Sequence, residues 1–329
     1  MSNIVDKRSE IVFLYDIRDG NPNGDPMDEN KPRIDEETGI NIVTDVRLKR
    51  TIRDFLFESR GKEILIRTIS LSGGLAIQDA KTRALDFLDK DKKKANFETQ
   101  RNNISENVLK ECIDVRLFGV ILPIEINKEK TSFKKTGPVQ FNMGRSLHQV
   151  EMKHIKGTGA FASTAAKGKE KAQQTFRDEF ILHYSLISFH GLINENAAKY
   201  TNLTTDDIQL LLDGIWNGTK GLISRSKMGQ MSRLLLKVEY NEKSFHIGDL
   251  AKGIKLQTNL EEVAIRGPDD YKLDITSLIT ILANHKDKIS NISYKVDNQL
   301  KFVLNDKDVS LQKALKDAIA KEPNELNFS

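Results

Sequence analysis

The residues densest in side-chain oxygens lie near the start of the chain. Asp19-x-Asn21-x-Asn23-Gly24-Asp25 has the spacing of the front half of a calcium loop, with oxygen ligands at positions 1, 3 and 5 and glycine at 6. Position 12 should bring a bidentate carboxylate, but it is Asn30. Pro22 and Pro26 stiffen the segment, and a β-type run rather than a helix precedes it. The expected role is therefore structural, with Asx side chains bonding local amides in turns. The six histidines (His148, His154, His183, His190, His246 and His285) show no HxxxH or HExxH spacing, and Cys112 is the single cysteine. That excludes a Cys-rich zinc site and an internal disulfide framework. His183 and His190 sit in an apolar run and read as core or interface residues. There is no Walker A motif, no GxGxxG and no GxSxG-like elbow, so an ordinary enzyme is poorly supported and no cofactor is expected.

The cations are more informative. Thr44 reads as the N-cap of a helix, DVRLKRTIRDFLF, whose Leu48, Ile52, Phe55 and Leu56 form a buried stripe. Lys49 and Arg53, four residues apart, share one flank, with Arg47 and Arg50 further round. A helix N-terminus beside such cations suits phosphate. Formal net charge is only +4, but residues 128–171 hold ten Lys/Arg against three Glu, a local +7 that leaves −3 elsewhere. Such a run can hold a nucleic-acid backbone, or it can be a solvated lysine face. Here it is interleaved with Gly, Ser, Thr and Phe.

Composition, at 38% hydrophobic and 30% charged, describes a soluble globular protein. The opening MSNIVDKRSEIVF does not read as a secretory signal, and the longest apolar stretch, 180–193, is too short to span a bilayer. With one cysteine, a cytoplasmic location is expected. Strands are predicted at 10–17, 62–70 and 232–240, with β-rich stretches at 115–126 and 175–193. TGPVQFNMGRSL reads as a glycine-bounded strand with a turn. Residues 77–112 read as mostly helical, with a solvated DKDKKK run at 89–94. Thr204 and Asp207 open a helix, TDDIQLLLDGIW, stopped by the glycine-bearing NGTKG, and SRSKMGQ is a loop. A strand near 294–304 and a helix near 309–321 end the chain. Elements interleave without regular βαβ spacing, which predicts α+β with insertions.

Five motifs occur in order: NPNGDP at 21–26, TDVRLKRTIR at 44–53, DVRLFG at 114–119, GPVQ with RS at 137–146, and SRLLLKVEY at 232–240. Together, over roughly residues 10–240, they resemble the RNA-binding backbone subunit (RAMP superfamily) of type I CRISPR Cascade complexes, nearest subtype I-B and next I-C. The resemblance implies an RRM-like (ferredoxin-like) palm with a helical fingers insertion and a β-hairpin thumb, in a single elaborated domain. The palm would take 1–61, 115–146 and 173–245, the fingers 62–114, the thumb 147–172, and a C-terminal elaboration 246–329.

It also implies a non-catalytic subunit that polymerises head-to-tail along the spacer of a guide RNA (crRNA) and presents bases to target DNA. Its partners would be the crRNA, target DNA through guide pairing, further copies of itself and other Cascade subunits, with no membrane. Implied RNA contacts are Thr44, Lys49, Arg50 and Arg53 on the helix, and Gln140, Arg145 and Ser146 after the fingers. Ser224, Arg225 and Lys227 would contribute from the SRSK turn. Lys153 and Lys156 would act in the thumb, where Met152, Ile155 or Phe161 could wedge between stacked bases. Two alternatives stand beside this reading. One is an RNA-cleaving RAMP-type endoribonuclease using Asp19, Asp25 or Asp28, as type III relatives use an acidic loop residue. The other is a general single-stranded RNA-binding protein.

Overall fold

Strand β1 (Ser9–Gly20) is apolar on both faces because it lies inside a nine-stranded sheet covered on both sides. The structure, a computed structural model, describes residues 3–70, 78–158 and 176–328. After a short ribbon, Gly24–Asp25 with Lys31–Pro32, come β2 (Ile40–Val43) and helix α1 (Asp45–Glu58). Helices α2 (Ala80–Leu85), α3 (Phe97–Glu111) and α4 (Ile113–Phe118) precede a separate hairpin of β3 (Gly119–Ile126) and β4 (Glu129–Thr136). Strands β5 (Val139–Phe141), β6 (Gly144–Gln149), β7 (Met152–Thr158) and β8 (Phe176–Ile193) return to the sheet. Then follow α5 (Glu195–Thr201), α6 (Thr205–Lys220) and β9 (Met231–Tyr240).

The C-terminal part adds β10 (Lys255–Gln257), β11 (Lys272–Asp274), α7 (Thr276–Asn284), β12 (Ile289–Val296), β13 (Phe302–Leu304), β14 (Lys307–Val309), α8 (Leu311–Ile319) and β15 (Asn324–Glu325). The main sheet runs β15-β12-β9-β1-β8-β6-β2, with β5 and β7 also on β8. Only the β12–β15 pair is parallel. The class is mixed α+β.

Two helices cover one face. Ile11, Phe13, Tyr15 and Ile17 of β1 pack with Leu48, Ile52 and Leu56 of α1 and Ile208, Leu211 and Ile215 of α6. Each such fully buried aliphatic side chain contributes about 1.5–3 kcal/mol. α6 runs through the predicted stop to Lys220, because Gly214 and Gly218 are contact residues. A Cβ at Gly218 would lie 3.0 Å from Phe55 Cβ, and one at Gly214 would lie 3.1 Å from Ile52 Cγ2. Their small size lets α6 approach α1 closely.

The opposite face, with Val12, Leu14, Leu234 and Leu236, lies under α7 and α8 through Leu278, Leu282, Leu311 and Leu315. The C-terminal residues thus form a third layer. A third core joins Leu65, Phe87, Ile104, Val108, Cys112 and Val115 to Leu122, Ile124 and Ile126 of β3. No strand spans 62–70, which holds isolated bridge positions at Glu63, opposite Cys112, and at Ser70. The β-rich stretch at 115–126 begins as α4, which ends at Gly119 with φ of +75° before the chain turns into β3. The strand near 294–304 is two strands, β12 and β13. Among the described residues, no helix is long and apolar enough to cross a membrane.

Candidate nucleic-acid interface

One rim of the main sheet gathers the end of β1, the start of α1, the loop before β9 and the base of the β7–β8 hairpin. Gly20 pairs with Leu182, Asn21 N–H donates to Ser226 O at 2.7 Å, and β7 pairs with the first residues of β8. Thr44 caps α1 as the sequence predicts, its hydroxyl accepting from Arg47 N–H at 3.3 Å. Asn23 Oδ1 in turn accepts from Thr44 N–H and Oγ1–H, both at 2.8 Å. The Asx-rich loop therefore holds the helix N-terminus in place.

Its other side chains are engaged locally. Asn21 donates to Asn30 O at 2.7 Å, Asp25 accepts from Met27 N–H and pairs with Arg33, and Asp28 pairs with Lys31 at 2.7 Å. Asp25 shows the turn role expected of these side chains, whereas Asn21 donates to a carbonyl and Asp28 pairs with a lysine. Asp25 and Asp28 line a cavity of about 490 Å³ with Arg33, Thr44, Met143 and Met152. Asp19 lies elsewhere, 3.8 Å from Arg18 and 4.0 Å from His183. Among the described residues, no three His, Cys, Asp or Glu side chains are grouped to hold a metal ion.

Most of the expected RNA contacts are exposed in the structure, but the Lys49 side chain is only 12% exposed, close to the 10% of Arg53. Lys49 Nζ sits 2.9 Å from both Asp45 Oδ2 and Gln140 Oε1, so two of the expected residues touch. Arg50 is exposed and chelates Asp54 at 2.8 Å. Arg145 is exposed, 3.6 Å from Asp35. Lys153 and Lys156 are exposed on β7, opposite Ile181 and Asp178, next to Met152 and Ile155. Phe161 lies outside the described residues. Ser224 and Arg225 are exposed, with Arg225 bonded to Glu179 at 2.8 Å, and Lys227 is half-buried.

Two expected contacts are engaged internally. Arg53 is buried against Asp114 at 3.0 Å and stacks over Phe118, rather than sharing an open flank with Lys49. Ser146 is buried, its hydroxyl accepting from Asn41 N–H and donating to His148 O. In this arrangement both position other groups.

Among the described residues the basic run is spread over three strands. Lys130, Lys134 and Lys135 lie on β4 with Lys128 at its turn, Arg145 on β6, and Lys153 and Lys156 on β7; Lys167, Lys169 and Lys171 fall outside the described residues. Sequence reading overlooked Asn23 as the anchor of the α1 cap and gave Arg47 no role. The signal for Asn23 is an Asx residue in a loop preceding a capped helix. Arg47 is half-buried in the first turn of α1 and donates to Thr51 Oγ1 at 2.9 Å.

The sequence profile of the family described as CRISPR-associated protein Cas7 matches residues 7–276. A protein of Haloferax volcanii with the same description is 31% identical over 316 residues, spanning 92% of this chain and 90% of that protein. Among solved structures, a chain from a CRISPR RNA-guided surveillance complex, pre-nicking, superposes with a TM-score of 0.52 at 13% identity. That match covers 98% of this chain and 96% of the other, and at this identity it bears on the fold alone. The profile spans most of the chain, and the sequence relative matches it nearly end to end. The chain therefore belongs to the CRISPR-associated protein Cas7 family.

Proposed function

We propose that this chain is the guide-RNA-binding backbone subunit of a CRISPR surveillance complex. Copies assemble head-to-tail along the guide, a heterologous contact that extends as a helical filament rather than closing. The crRNA backbone lies along the rim described above. Its bases stay free to pair with target DNA, so sequence is read by the guide and not by the protein. Other Cascade subunits are further partners. The observation that carries the reading is the rim itself: in a chain of this family, the loop that holds the capped start of α1 through Asn23 also meets the Ser224–Ser226 turn through Asn21. Arg225 of that turn is bonded to Glu179, which lies opposite Ile155 of the cationic β7 strand.

The order β9-β1-β8-β6, with α1 after the first strand and α6 before the last, supports a ferredoxin-like palm in its 4-1-3-2 arrangement. An RRM commonly uses the open sheet face for RNA. Here that face lies under the C-terminal layer, with Tyr184 and Tyr294 buried, which favours the rim as the RNA path. The fingers extend through the β3–β4 hairpin, whose residues share the core of 65–115. The thumb is β7 with the first part of β8. Thr44, Lys49, Arg50, Gln140, Arg145, Lys153, Lys156, Ser224, Arg225 and Lys227 face the guide, while Arg53 and Ser146 position their neighbours.

The reading is non-catalytic. Asp25 and Asp28 are neutralised by Arg33 and Lys31, and Asp19 stands apart from both. The test is to express the chain with a CRISPR array, purify it and extract its nucleic acid. A discrete-length RNA and regular filaments by electron microscopy are expected; heterogeneous or absent RNA would overturn the assignment. Regularly spaced cuts in complementary RNA with Mg²⁺, abolished by Asp25→Ala, would instead establish the endoribonuclease.

A further inference from the structure

The cavity of about 490 Å³ beside the α1 cap brings Met143 and Met152 together with Arg33, Ile34, Ile42 and Thr44. Strand pairing explains the meeting. Val43 of β2 lies opposite Gly144, which sets Met143 next to Thr44, and Ile42 N–H donates to Arg33 O at 2.8 Å. Met152 opens β7 opposite Leu182.

Two features of this cavity are not explained by packing. Both thioethers reach solvent, Met143 being 56% exposed and Met152 38%. Arg33 Nη1 donates to Asp25, but its Nε–H is buried and has no acceptor among the described residues. Thioether sulfur is only a weak acceptor, so the two methionines do not answer that donor as they stand. A buried donor left unpaired is unfavourable, and an oxygen placed in the cavity removes the cost.

We propose that Met143 and Met152 form a site of reversible oxidation by a hydroperoxide, with Arg33 as the group that receives the oxygen. A sulfur lone pair attacks one peroxide oxygen, and an S–O bond forms as the O–O bond breaks. The sulfur loses two electrons to the peroxide. The leaving hydroxide takes the proton from the transferred oxygen, so hydrogen peroxide yields one sulfoxide and one water. Arg33 Nε–H donates to the oxygen as its charge develops and remains bonded to the sulfoxide. The product is polar where the thioether was apolar and flexible, and it stands on the rim. Its effect on guide binding rests on the function proposed above, whereas the oxidation does not.

The full chain, freed of nucleic acid, is treated with dilute hydrogen peroxide, and the gain of oxygen at each methionine is followed by peptide mass spectrometry. Exposure alone would oxidise Met27, at 94%, and Met228, at 67%, before the pair. With Arg33 assisting, Met143 and Met152 should react at least as fast as Met228. Arg33→Lys keeps a cation for Asp25 but puts a methylene where Nε–H stands. It should slow the pair roughly tenfold and leave Met228 unchanged. The order in the wild-type protein decides even if that variant folds poorly. Oxidation that follows exposure alone, or that a folded Arg33→Lys protein leaves unaltered, overturns the proposal.

Labelled single-stranded RNA is then titrated with reduced and oxidised protein. Oxidation should weaken binding about fivefold or more, and methionine sulfoxide reductase should restore it. In the double variant Met143→Leu, Met152→Leu, affinity should be the same before and after peroxide. Wild-type protein that binds no RNA, yet shows the fast, Arg33-dependent oxidation, sinks the guide-RNA function and keeps the site. The same oxidation with RNA affinity unchanged keeps the site and overturns its control of guide binding.

Discussion

Arg53 Nε lies 3.0 Å from Asp114 Oδ2, with both side chains buried, so the TDVRLKRTIR and DVRLFG motifs meet in space. The same carboxylate accepts Leu65 N–H at 2.8 Å and Ile66 N–H at 3.2 Å. One acid thus joins α1, the chain at Leu65–Ile66, and α4. The Arg53 guanidinium completes the contact by covering the Phe118 ring at 5.1 Å.

Removing the cation leaves Asp114 buried without a counter-ion, which costs roughly 3–5 kcal/mol. Arg53→Met should therefore destabilise the fold strongly. Arg50→Gln, which breaks an exposed pair with Asp54, should cost less than about 1 kcal/mol. Urea midpoints of the two variants check this, and equal losses would contradict the structural role given to Arg53.

A different buried carboxylate contributes to acid stability. Burial alone would raise the pKa of Glu10, but hydrogen bonds from His190, Tyr240 and the Gly248 amide outweigh it and hold the carboxyl below its ordinary 4.5. A depressed folded-state pKa means stabilisation that is complete above the unfolded value and fades as pH falls through the folded one. The stability gap between wild type and Glu10→Gln should be widest near neutral pH. It should narrow below about pH 4.5, read from urea unfolding at several pH values. A gap that stays constant across that range would contradict it.

Local signals in the sequence located β1, the Thr44 cap and the Thr204–Asp207 capping box, because each is decided within a few residues. The exposed position of Arg50 on α1 was legible for the same reason. Arg53 and Ser146 were not, since their partners Asp114 and Asn41 lie 61 and 105 positions away and burial is a tertiary outcome. Helix α4 was hidden by β-branched and aromatic residues in DVRLF, whose propensity is overridden when Asp114 is fixed by the Leu65 and Ile66 amides. The third layer had no motif to announce it. Its short helices show their role only once the second face of β1 is seen to need cover.

Glycine was misread for a physical reason as well. Gly218 looks like a breaker in NGTKG, yet its site on α6 faces Phe55 of α1. A bulky side chain there must push the helices apart, since a Cβ alone would stand 3.0 Å from Phe55 Cβ. Gly218→Leu should cost about 1–3 kcal/mol, whereas Gly229→Leu, with nothing within 4 Å but φ of +86°, carries only the backbone penalty of about 1–2 kcal/mol. Phe55→Ala keeps the Cβ but removes the ring carbon that would stand 3.3 Å away, so it should rescue Gly218→Leu only in part, which a thermal-denaturation double-mutant cycle reads.

Lys49 holds Asp45 on its own helix and Gln140 on β5, with only 12% of its side chain exposed. A phosphate arriving at α1 competes with those two partners for the ammonium. Under the proposed function, Lys49→Ala should weaken guide binding about equally for unrelated spacer sequences and lower the salt slope by about 0.7. Gln140→Ala removes a neutral competitor and leaves the cation in place, so it should change affinity far less and keep the slope. Asp45→Asn removes the anionic competitor and should tighten binding. Anisotropy titrations of the three variants on two spacers test this order. A Lys49→Ala protein that folds normally yet keeps wild-type affinity and slope would remove α1 from the RNA path.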